Sequence, residues 1–324
     1  MISVDLVGST ALKQRGGIDA LDTVRWVHWF NGFYDSFQEF LRRQYDQLPD
    51  SLASFDWVPD ERPRLWKRNG DELLLHVQVK DHREALVHLV ALRHALAGYR
   101  EHWASALPER TTVHEAARKR EFPMDLKATA WVAGFPVTNI GVPWDDHDPA
   151  DFIGPQIDLG FRLAKRAARD RIVLDLGLAL LLATAMNDLE LADSVAVLYT
   201  GTKELADILE GLPYPIFAVD VPHPVDEAAK ALAGGPVALQ ASGPAKVVTY
   251  AEEFLPHSHG LVRPFIYGDD HFRLEPRWHA RLEKERDHLI GDYQAATGDS
   301  VSEGTAPATT AQGIDEYTTL DSPQ

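Results

Sequence analysis

The chain has 324 residues and carries 32 Lys and Arg against 49 Asp and Glu, a formal net charge of −17, and it contains no cysteine. This excess of negative charge repels phosphate backbones and anionic lipid headgroups, so binding to nucleic acid or to a membrane surface is not expected. The absence of cysteine excludes disulfide scaffolds, thiolate zinc sites and cysteine nucleophiles.

No targeting segment stands out in the sequence. The longest apolar stretch, residues 176–186, is about half of the roughly 20 residues that a membrane span requires. The first ten residues, MISVDLVGST, lack the basic and apolar regions of a secretory signal. We therefore predict a soluble cytoplasmic protein. Asp5 lies only four residues after the start of the chain, which is short for a central strand, so an upstream segment could complete that strand.

Short apolar runs alternate with longer helical patterns, which is typical of α/β or α+β folds and not of an all-helical bundle. In chain order, the predicted strands are residues 2–7, 73–79, 126–132, 171–174, 195–199 and 216–221. The predicted helices are residues 19–44, 81–99, a segment after Asp151, and 176–186. Residues 46–64 are predicted to form a loop.

The composition changes after Pro222, where Pro, Gly and Ala become frequent. We predict a main domain over residues 1–222 and a small C-terminal subdomain over 223–294. Short strands at 246–249 and 262–266 and a charged helix at 276–290 are expected in that subdomain. Residues 295–324 hold five acidic residues and no Lys or Arg, which predicts a disordered acidic tail.

Two carboxylates lie where a strand end or a hairpin would place them at the edge of a sheet. Asp5 occurs in VDLVGST and Asp71 in KRNGDELLL. Oxygen ligands suit Mg²⁺ and Mn²⁺, and phosphoryl transfer with two metals needs two such acids. The small residues Gly8, Ser9 and Thr10 would let backbone amides approach a triphosphate. Taken singly, each motif also fits an ordinary strand end or hairpin turn.

A third segment, DFIGPQIDLGFRLAKRA at residues 151–167, adds specificity to these two motifs. Together the three segments resemble class III nucleotidyl cyclases. The first resembles the metal motif on the first strand of that family, and the second its Lys-x-x-Gly-Asp hairpin. The third resembles its Asp-x-x-Gly-(x)₃-Asn-(x)₃-Arg segment. The resemblance covers residues 1–222 and implies an α+β fold, a cyclase-like sandwich with a central mixed β-sheet flanked by helices.

The resemblance implies a role for each matching residue. Asp5, Asp71 and the carbonyl of Leu6 would bind two Mg²⁺ or Mn²⁺ ions. The remaining assignments are base recognition by Lys67 and Asp151, ribose positioning by Asp158 and stabilisation of the transition state by Arg162. In this family the metal ligands and the other groups come from opposite protomers, so the resemblance also implies a homodimer with composite sites.

Some positions depart from the family pattern. Asp158 replaces the usual Asn, and no cation is found near Glu210, where the family has a Lys that holds the triphosphate. Lys127 is a candidate phosphate contact. With KATAWVAGFP, GPQIDLGFRL and RPFIYGDDHF, these departures resemble the pyrimidine cyclases of the bacterial Pycsar antiphage system. That implies conversion of UTP to cyclic UMP, which would activate a separate effector protein.

Several alternatives stay open. The product could be cyclic CMP, and Lys67 also matches the base-reading Lys of ordinary adenylate and guanylate cyclases. The string NGDEL faintly resembles the hairpin of diguanylate cyclases. A catalytically dead cyclase-like module that binds a nucleotide is the alternative outside enzymes. Four histidines in acidic, loop-like surroundings are interpreted as solvated residues rather than metal ligands: His147, His257, His259 and His271.

Overall fold

A computed structural model describes residues 1–14, 25–49, 52, 59, 61–106, 125–144, 147–190, 195–222, 242–258, 260–276 and 279–297. The strands are β1 (Ile2–Leu6), β2 (Arg64–Asn69), β3 (Glu72–His76), β4 (Leu126–Ala130), β5 (Ile140–Trp144), β6 (His147–Ile153), β7 (Arg171–Leu174), β8 (Val197–Glu204) and β9 (Pro213–Asp220). The α-helices are α1 (Ser9–Gln14), α2 (Arg25–Gln44), α3 (His82–Ala106), α4 (Pro155–Ala164), α5 (Leu176–Asp188), α6 (Pro244–His257) and α7 (His279–Thr297).

Within these residues, seven strands form one mixed sheet in the order β2-β3-β1-β4-β7-β9-β8. Strands β4 and β7 are parallel, and the other neighbours are antiparallel. The chain from β1 to β4 follows a β-α-β-β-α-β order, the connectivity of ferredoxin-like folds. The predicted α+β fold with a mixed central sheet is therefore confirmed. Strands β5 and β6 form a separate antiparallel hairpin.

One face of the sheet packs against helices and forms the main core. Alternate residues of β1, among them Val4 and Leu6, join this core together with Leu73 and Leu75 of β3. Helix α5 is buried on all sides, as its almost wholly apolar sequence predicts. Because successive strand residues point to opposite faces, Asp5 points away from the main core.

A smaller apolar cluster lies on the opposite face of the sheet. It contains Trp66 of β2, Leu74 of β3, Trp131 at the end of β4, and Phe152 of β6. Helix α4 packs closely on this cluster, since a Cβ atom at Gly160 would lie 2.1 Å from the Trp131 ring. The close approach fixes α4 against the sheet.

The C-terminal part of the chain differs from the sequence prediction. The strands predicted at 246–249 and 262–266 are wrong: the first lies in helix α6 and the second has no regular structure. Helix α6 buries Val247, Ala251 and Leu255, four residues apart, against the main core. Helix α7 begins and ends later than expected, and it includes residues 295–297 of the predicted tail. Residues 298–324 lie outside the described residues.

Other differences concern the first half of the chain. Strand β2 begins at the end of the predicted 46–64 loop, and the β5–β6 hairpin was not predicted. Helix α3 continues to residue 106, beyond the predicted end at 99. Helix α2 begins at residue 25, and the predicted helix start at 19–24 lies outside the described residues. No described helix is long and apolar enough to cross a membrane.

Candidate functional site

Asp5 and Asp71 lie close together on the sheet face opposite the main core. Asp5 is paired in register with Glu72 of β3, the residue after Asp71 in the chain. The backbone N–H of Leu6 donates a hydrogen bond to the Asp71 carbonyl at 3.3 Å, which ties the end of β1 to the turn of the β2–β3 hairpin. The side chain of Leu6 is buried, and its strand position lies opposite Leu126 of β4.

Two lysines and a serine hold the two carboxylates. Lys127, opposite Asp5 on β4, places its Nζ 2.8 Å from Asp5 Oδ2. Lys13 of α1 places its Nζ 3.2 Å from Asp71 Oδ1. The buried hydroxyl of Ser9 donates to Asp71 Oδ2. The two acidic side chains thus belong to a single network of opposite charges.

The two carboxyl groups differ in proton affinity. The pKa of Asp5 is raised to about 6, because burial and the nearby Asp71 together outweigh the opposing effect of Lys127. Burial also acts to raise the pKa of Asp71, but hydrogen bonds from Ser9 and Lys13 outweigh it and hold that pKa below its usual value. Two acids brought together under partial burial favour a bound cation. The residues present therefore fit a site for Mg²⁺ or Mn²⁺.

The turn that carries Asp71 is held from the helical side. Gly70 has φ +66°, a conformation in which a side chain is strained. The hydroxyl of Tyr34 on α2 donates to the Gly70 carbonyl, and the Arg68 guanidinium lies 4.9 Å from the centre of the Tyr34 ring. These contacts fix the position of the acidic turn.

The three predicted phosphate-binding residues occupy the turn into α1. Gly8 has φ +83°, the Ser9 hydroxyl donates a hydrogen bond to Asp71, and the Thr10 side chain is exposed. Their role in binding a triphosphate stays a prediction.

Lys67 and Asp151 form a second polar group. Lys67 Nζ on β2 donates to Asp151 Oδ1 on β6 at 2.6 Å, and both side chains are about one third exposed. Lys67 Nζ also lies 4.4 Å from the centre of the Trp66 ring. Trp66 packs on Phe152 with ring centres 5.0 Å apart. The two residues assigned to base recognition thus contact each other beside an aromatic cluster.

Helix α4 carries Asp158 and Arg162. Its first turn is held by Asn139 Oδ1, which accepts from the backbone N–H of Gln156 at 3.2 Å. Asp158 is exposed, and Arg162 Nη2 lies 3.1 Å from Asp207 Oδ2 in the β8–β9 connection. Among the described residues, no hydrogen bond or ion pair joins α4 to either of the other two groups.

Sequence reasoning missed two residues of the site. Lys13 contacts Asp71, and Asp207 contacts Arg162. Lys13 could have been found, since it follows Ser9 by four residues in a helical segment and therefore shares its face. Asp207 carries no such signal, because the β8–β9 connection gives no indication in sequence that it approaches α4.

The solved structures that are similar to this chain include nucleotide cyclases, all at low identity and with TM-scores below 0.5. No protein-family model and no curated protein matches the chain. The adenylyl cyclase CyaB from P. aeruginosa is 13% identical with a TM-score of 0.43, over 69% of this chain and 93% of that one. The guanylate cyclase domain of RhGC from Catenaria anguillulae, in complex with GTP, is 9% identical with a TM-score of 0.41, over 68% and 95%. The guanylyl cyclase Cya2 is 13% identical with a TM-score of 0.36, over 69% and 92%.

Proposed function

We propose that the protein is a metal-dependent nucleotidyl cyclase that converts UTP to 3′,5′-cyclic UMP and pyrophosphate. The observation that carries the proposal is the meeting of Asp5 and Asp71 from two separate segments in one charge-balanced, partly buried network. This arrangement provides the paired acids that phosphoryl transfer with two metals requires.

Asp5 and Asp71, with the Leu6 carbonyl, would hold the two Mg²⁺ or Mn²⁺ ions. These ions supply charge that lowers the pKa of the ribose 3′-hydroxyl and offsets the charge of the phosphates. Lys13 and Lys127 already lie beside the carboxylates and can turn toward a bound triphosphate. Gly8, Ser9 and Thr10 are assigned to the same triphosphate contact.

In the reaction, the ribose 3′-hydroxyl would lose its proton to solvent and its oxygen would attack the α-phosphorus in line. The bond between the α-phosphorus and the oxygen that bridges to the β-phosphorus would break, and pyrophosphate would leave with that oxygen. The protein acts mainly by positioning groups and by offsetting charge. Asp158 would accept a hydrogen bond from the ribose, since an ionised carboxylate only accepts. Arg162 would leave its ion pair with Asp207 and contact the phosphoryl group, where it would stabilise the negative charge that develops in the transition state.

Lys67 and Asp151 would read the base, as a donor and an acceptor held 2.6 Å apart. Trp66 and Phe152, each the chain neighbour of one member of this pair, fill the adjacent space with aromatic rings. The resemblance to pyrimidine cyclases implies a narrower base pocket, which would accept a pyrimidine and exclude the larger purines sterically. We therefore favour UTP, with CTP as the second pyrimidine substrate.

Among the described residues, no hydrogen bond or ion pair joins α4 to the acid pair, whereas Phe161 of α4 lies near Trp66, the neighbour of Lys67, with ring centres 6.1 Å apart. We infer that two copies associate as a homodimer, in which the acids of one protomer meet the base-reading residues and α4 of its partner. The cyclic nucleotide product would activate a separate effector protein in antiphage defence.

Product analysis tests the proposal directly. The purified chain is incubated separately with ATP, GTP, CTP and UTP in the presence of Mn²⁺, beside Asp71→Ala. Cyclic UMP made only by the unmutated chain supports the proposal, and cyclic CMP changes the base. Cyclic AMP or cyclic GMP as the product would support a nucleotidyl cyclase and would overturn the assignment of a pyrimidine substrate. A cyclic dinucleotide made from two GTP molecules identifies the diguanylate-type alternative. No product with any nucleotide favours the nucleotide-binding module.

Mixing two inactive variants tests the composite site. Asp71→Ala and Arg162→Ala are each expected to be inactive alone, because every site then lacks one essential group. After mixing and subunit exchange, each mixed dimer contains one intact composite site, whereas a normal dimer contains two. A mixed dimer should therefore have up to about half of the activity of a normal dimer. Absence of recovery, with mixed dimers demonstrated by mass photometry of a tagged chain, contradicts the composite arrangement.

A further inference from the structure

A histidine and aspartate cluster lies away from the sheet face that carries Asp5. His82 begins α3, Asp188 ends α5, and His271 lies in the segment between α6 and α7. His82 Nε2 is 3.0 Å and His271 Nε2 is 2.9 Å from the same atom, Asp188 Oδ2. Three separate parts of the chain thus present two imidazole nitrogens and a carboxylate oxygen to one point.

The ligand atoms are arranged as a transition-metal site requires. The imidazole nitrogens of His82 and His271 and a carboxylate oxygen of Asp188 all lie within 4.8 Å of one another. Two imidazoles with one carboxylate form a ligand set of zinc and related divalent ions. Mg²⁺, which favours oxygen ligands, is less suited to this set.

A buried carboxylate orients the histidines. The Asp269 side chain is 0% exposed, and its Oδ2 lies 2.8 Å from His82 Nδ1 and accepts from the His82 backbone N–H at 2.7 Å. Its Oδ1 accepts from the backbone N–H of His271 at 2.8 Å. A carboxylate on the far nitrogen of a metal-binding histidine is the usual supporting contact, because it fixes the tautomer that leaves the other nitrogen free.

The surroundings leave room for a further ligand. The Asp188 and His271 side chains are 31% and 46% exposed, so water can reach the point where the three ligand atoms converge. Asp81, the other nearby acid, accepts hydrogen bonds at its Oδ1 from the Arg83 side-chain Nε at 2.7 Å and from the Arg83 backbone N–H at 2.8 Å. Of the two groups of possible ligands that share His82, the set of His82, Asp188 and His271 is therefore the one with solvent-exposed members, since Asp81 and Asp269 accept hydrogen bonds from Arg83 and from His82 and His271.

We propose that His82 Nε2, His271 Nε2 and the Asp188 carboxylate bind one Zn²⁺ ion, which fastens the segment after α6 to the ends of α3 and α5. This site is separate from the acid pair assigned to Mg²⁺ or Mn²⁺ and does not depend on the proposed catalytic activity. It also reverses the sequence interpretation of His271 as an unattached loop residue.

The test uses the full-length chain stripped of metal, in buffer containing millimolar Mg²⁺ to occupy the acid pair. A calorimetric titration with Zn²⁺ is expected to show one ion bound per chain. Thermal unfolding in the presence of Zn²⁺ should show a rise of several degrees in Tm. His271→Ala and Asp188→Ala should weaken Zn²⁺ binding at least 100-fold. His257→Ala removes an exposed histidine of α6 and should leave the affinity unchanged. Asp71→Ala should also leave it unchanged.

A crystal grown with Zn²⁺ provides an independent measurement, since an anomalous peak at the zinc edge should lie between His82 Nε2 and His271 Nε2. The proposal is overturned if no Zn²⁺ binds, if binding is equally strong in His271→Ala and Asp188→Ala, or if the peak lies at Asp71. In those cases the cluster is a network of polar contacts in which Asp188 joins His82 and His271.

Discussion

Lys67 and Asp151 are 84 positions apart in the sequence, yet Lys67 Nζ donates to Asp151 Oδ1 at 2.6 Å. The contact connects the central sheet to the β5–β6 hairpin. Because both side chains are about one third exposed, the pair contributes little to folding, on the order of 1 kcal/mol or less. The proposed role of the pair in base recognition therefore predicts an effect of its replacement on activity rather than on stability.

Replacement of this pair should change activity and leave stability nearly unchanged. We expect Lys67→Ala and Asp151→Ala each to reduce kcat/KM for the preferred nucleotide about 10- to 100-fold, since each removes a charged hydrogen-bond partner of the base. The values are measured for all four nucleotides, with urea denaturation alongside. Arg42→Ala, which breaks the exposed pair with Glu39, is the control and should alter neither quantity. An equal loss of kcat/KM in the Arg42→Ala control would contradict the assignment of Lys67 and Asp151 to base recognition.

Asp5→Asn should inactivate the protein and stabilise it. The pKa of Asp5 is raised from 3.8 to about 6, so the folded chain favours the protonated carboxyl. Its stabilising contribution is complete below about pH 4 and is lost as the pH rises through 6. At pH 7.5, Asn removes a charge that folding disfavours, a gain of about 1–3 kcal/mol.

Urea denaturation of both proteins from pH 4 to pH 8 measures this effect. The stability difference between Asp5→Asn and the unmutated chain should increase between pH 4 and 6 and then level off. The exposed Asp46→Asn serves as the control and should show no such dependence. A constant difference across the pH range would mean that Asp5 is ordinarily ionised in the folded chain.

Arg162 and its partner Asp207 should respond differently to substitution. Arg162→Ala is expected to reduce kcat about 100- to 1,000-fold, because it removes a cation assigned to the transition state. Asp207 is 86% exposed, so Asp207→Ala should change stability by less than about 1 kcal/mol and should not reduce kcat. Steady-state kinetics of the two variants decide the point. A similar decrease in both would indicate that the ion pair only supports the fold.

Gly160→Ala should displace α4. The added Cβ would lie 2.1 Å from the buried Trp131 ring, so either α4 or the ring must move, at a cost of about 1–3 kcal/mol. Turnover should fall as well, since α4 positions Asp158 and Arg162. The matched control is Gly291→Ala in α7, where nothing lies within 4 Å of the new Cβ. That change should raise stability by up to about 1 kcal/mol, because alanine favours helix. Thermal and urea unfolding compare the two variants.

His88 should make the protein sensitive to acid. Burial lowers the pKa of His88 to about 3, and its Nδ1 lies 2.7 Å from the Tyr45 hydroxyl. Below about pH 6.5 the His88 side chain binds a proton in the unfolded chain but not in the folded chain. The free energy of unfolding therefore decreases as the pH falls, by up to about 1.4 kcal/mol per pH unit.

His88→Asn keeps a polar group toward Tyr45 and removes the titration. The free energy of unfolding of this variant should fall less steeply between pH 7 and 5 than that of the unmutated chain. His257→Asn, at an exposed position, should keep the original slope. Parallel curves for all three proteins would show that His88 does not titrate in this way.

Local patterns predicted six of the seven strands of the main sheet, because their apolar residues alternate or run together between turn signals, but they missed β2. They failed at Val247, where a run of β-branched residues suggested a strand. The spacing of Val247, Ala251 and Leu255, together with Pro244 at the start, is typical of a helix, and this pattern agrees with the structure.

The candidate site was harder to predict, since its contacts join distant segments. The sequence identified Asp5 and Asp71 by motif, but their opposing pKa shifts depend on burial and on Lys13 and Lys127, which only the fold brings together. The same holds for His82 and His271. Their approach depends on how the segment after α6 packs on the ends of two helices, which no local pattern encodes.

The lysine pairs of Asp5 and Asp71 have a consequence for how ligands would bind. A divalent ion that takes the two carboxylates releases the ammonium groups of Lys127 and Lys13, which then add to the attraction for an anionic triphosphate. The nucleotide in turn removes the lysines' competition for the carboxylates. By thermodynamic linkage, each ligand then increases the affinity for the other by the same factor. Such a protein would respond cooperatively to the joint concentrations of free metal ion and nucleotide.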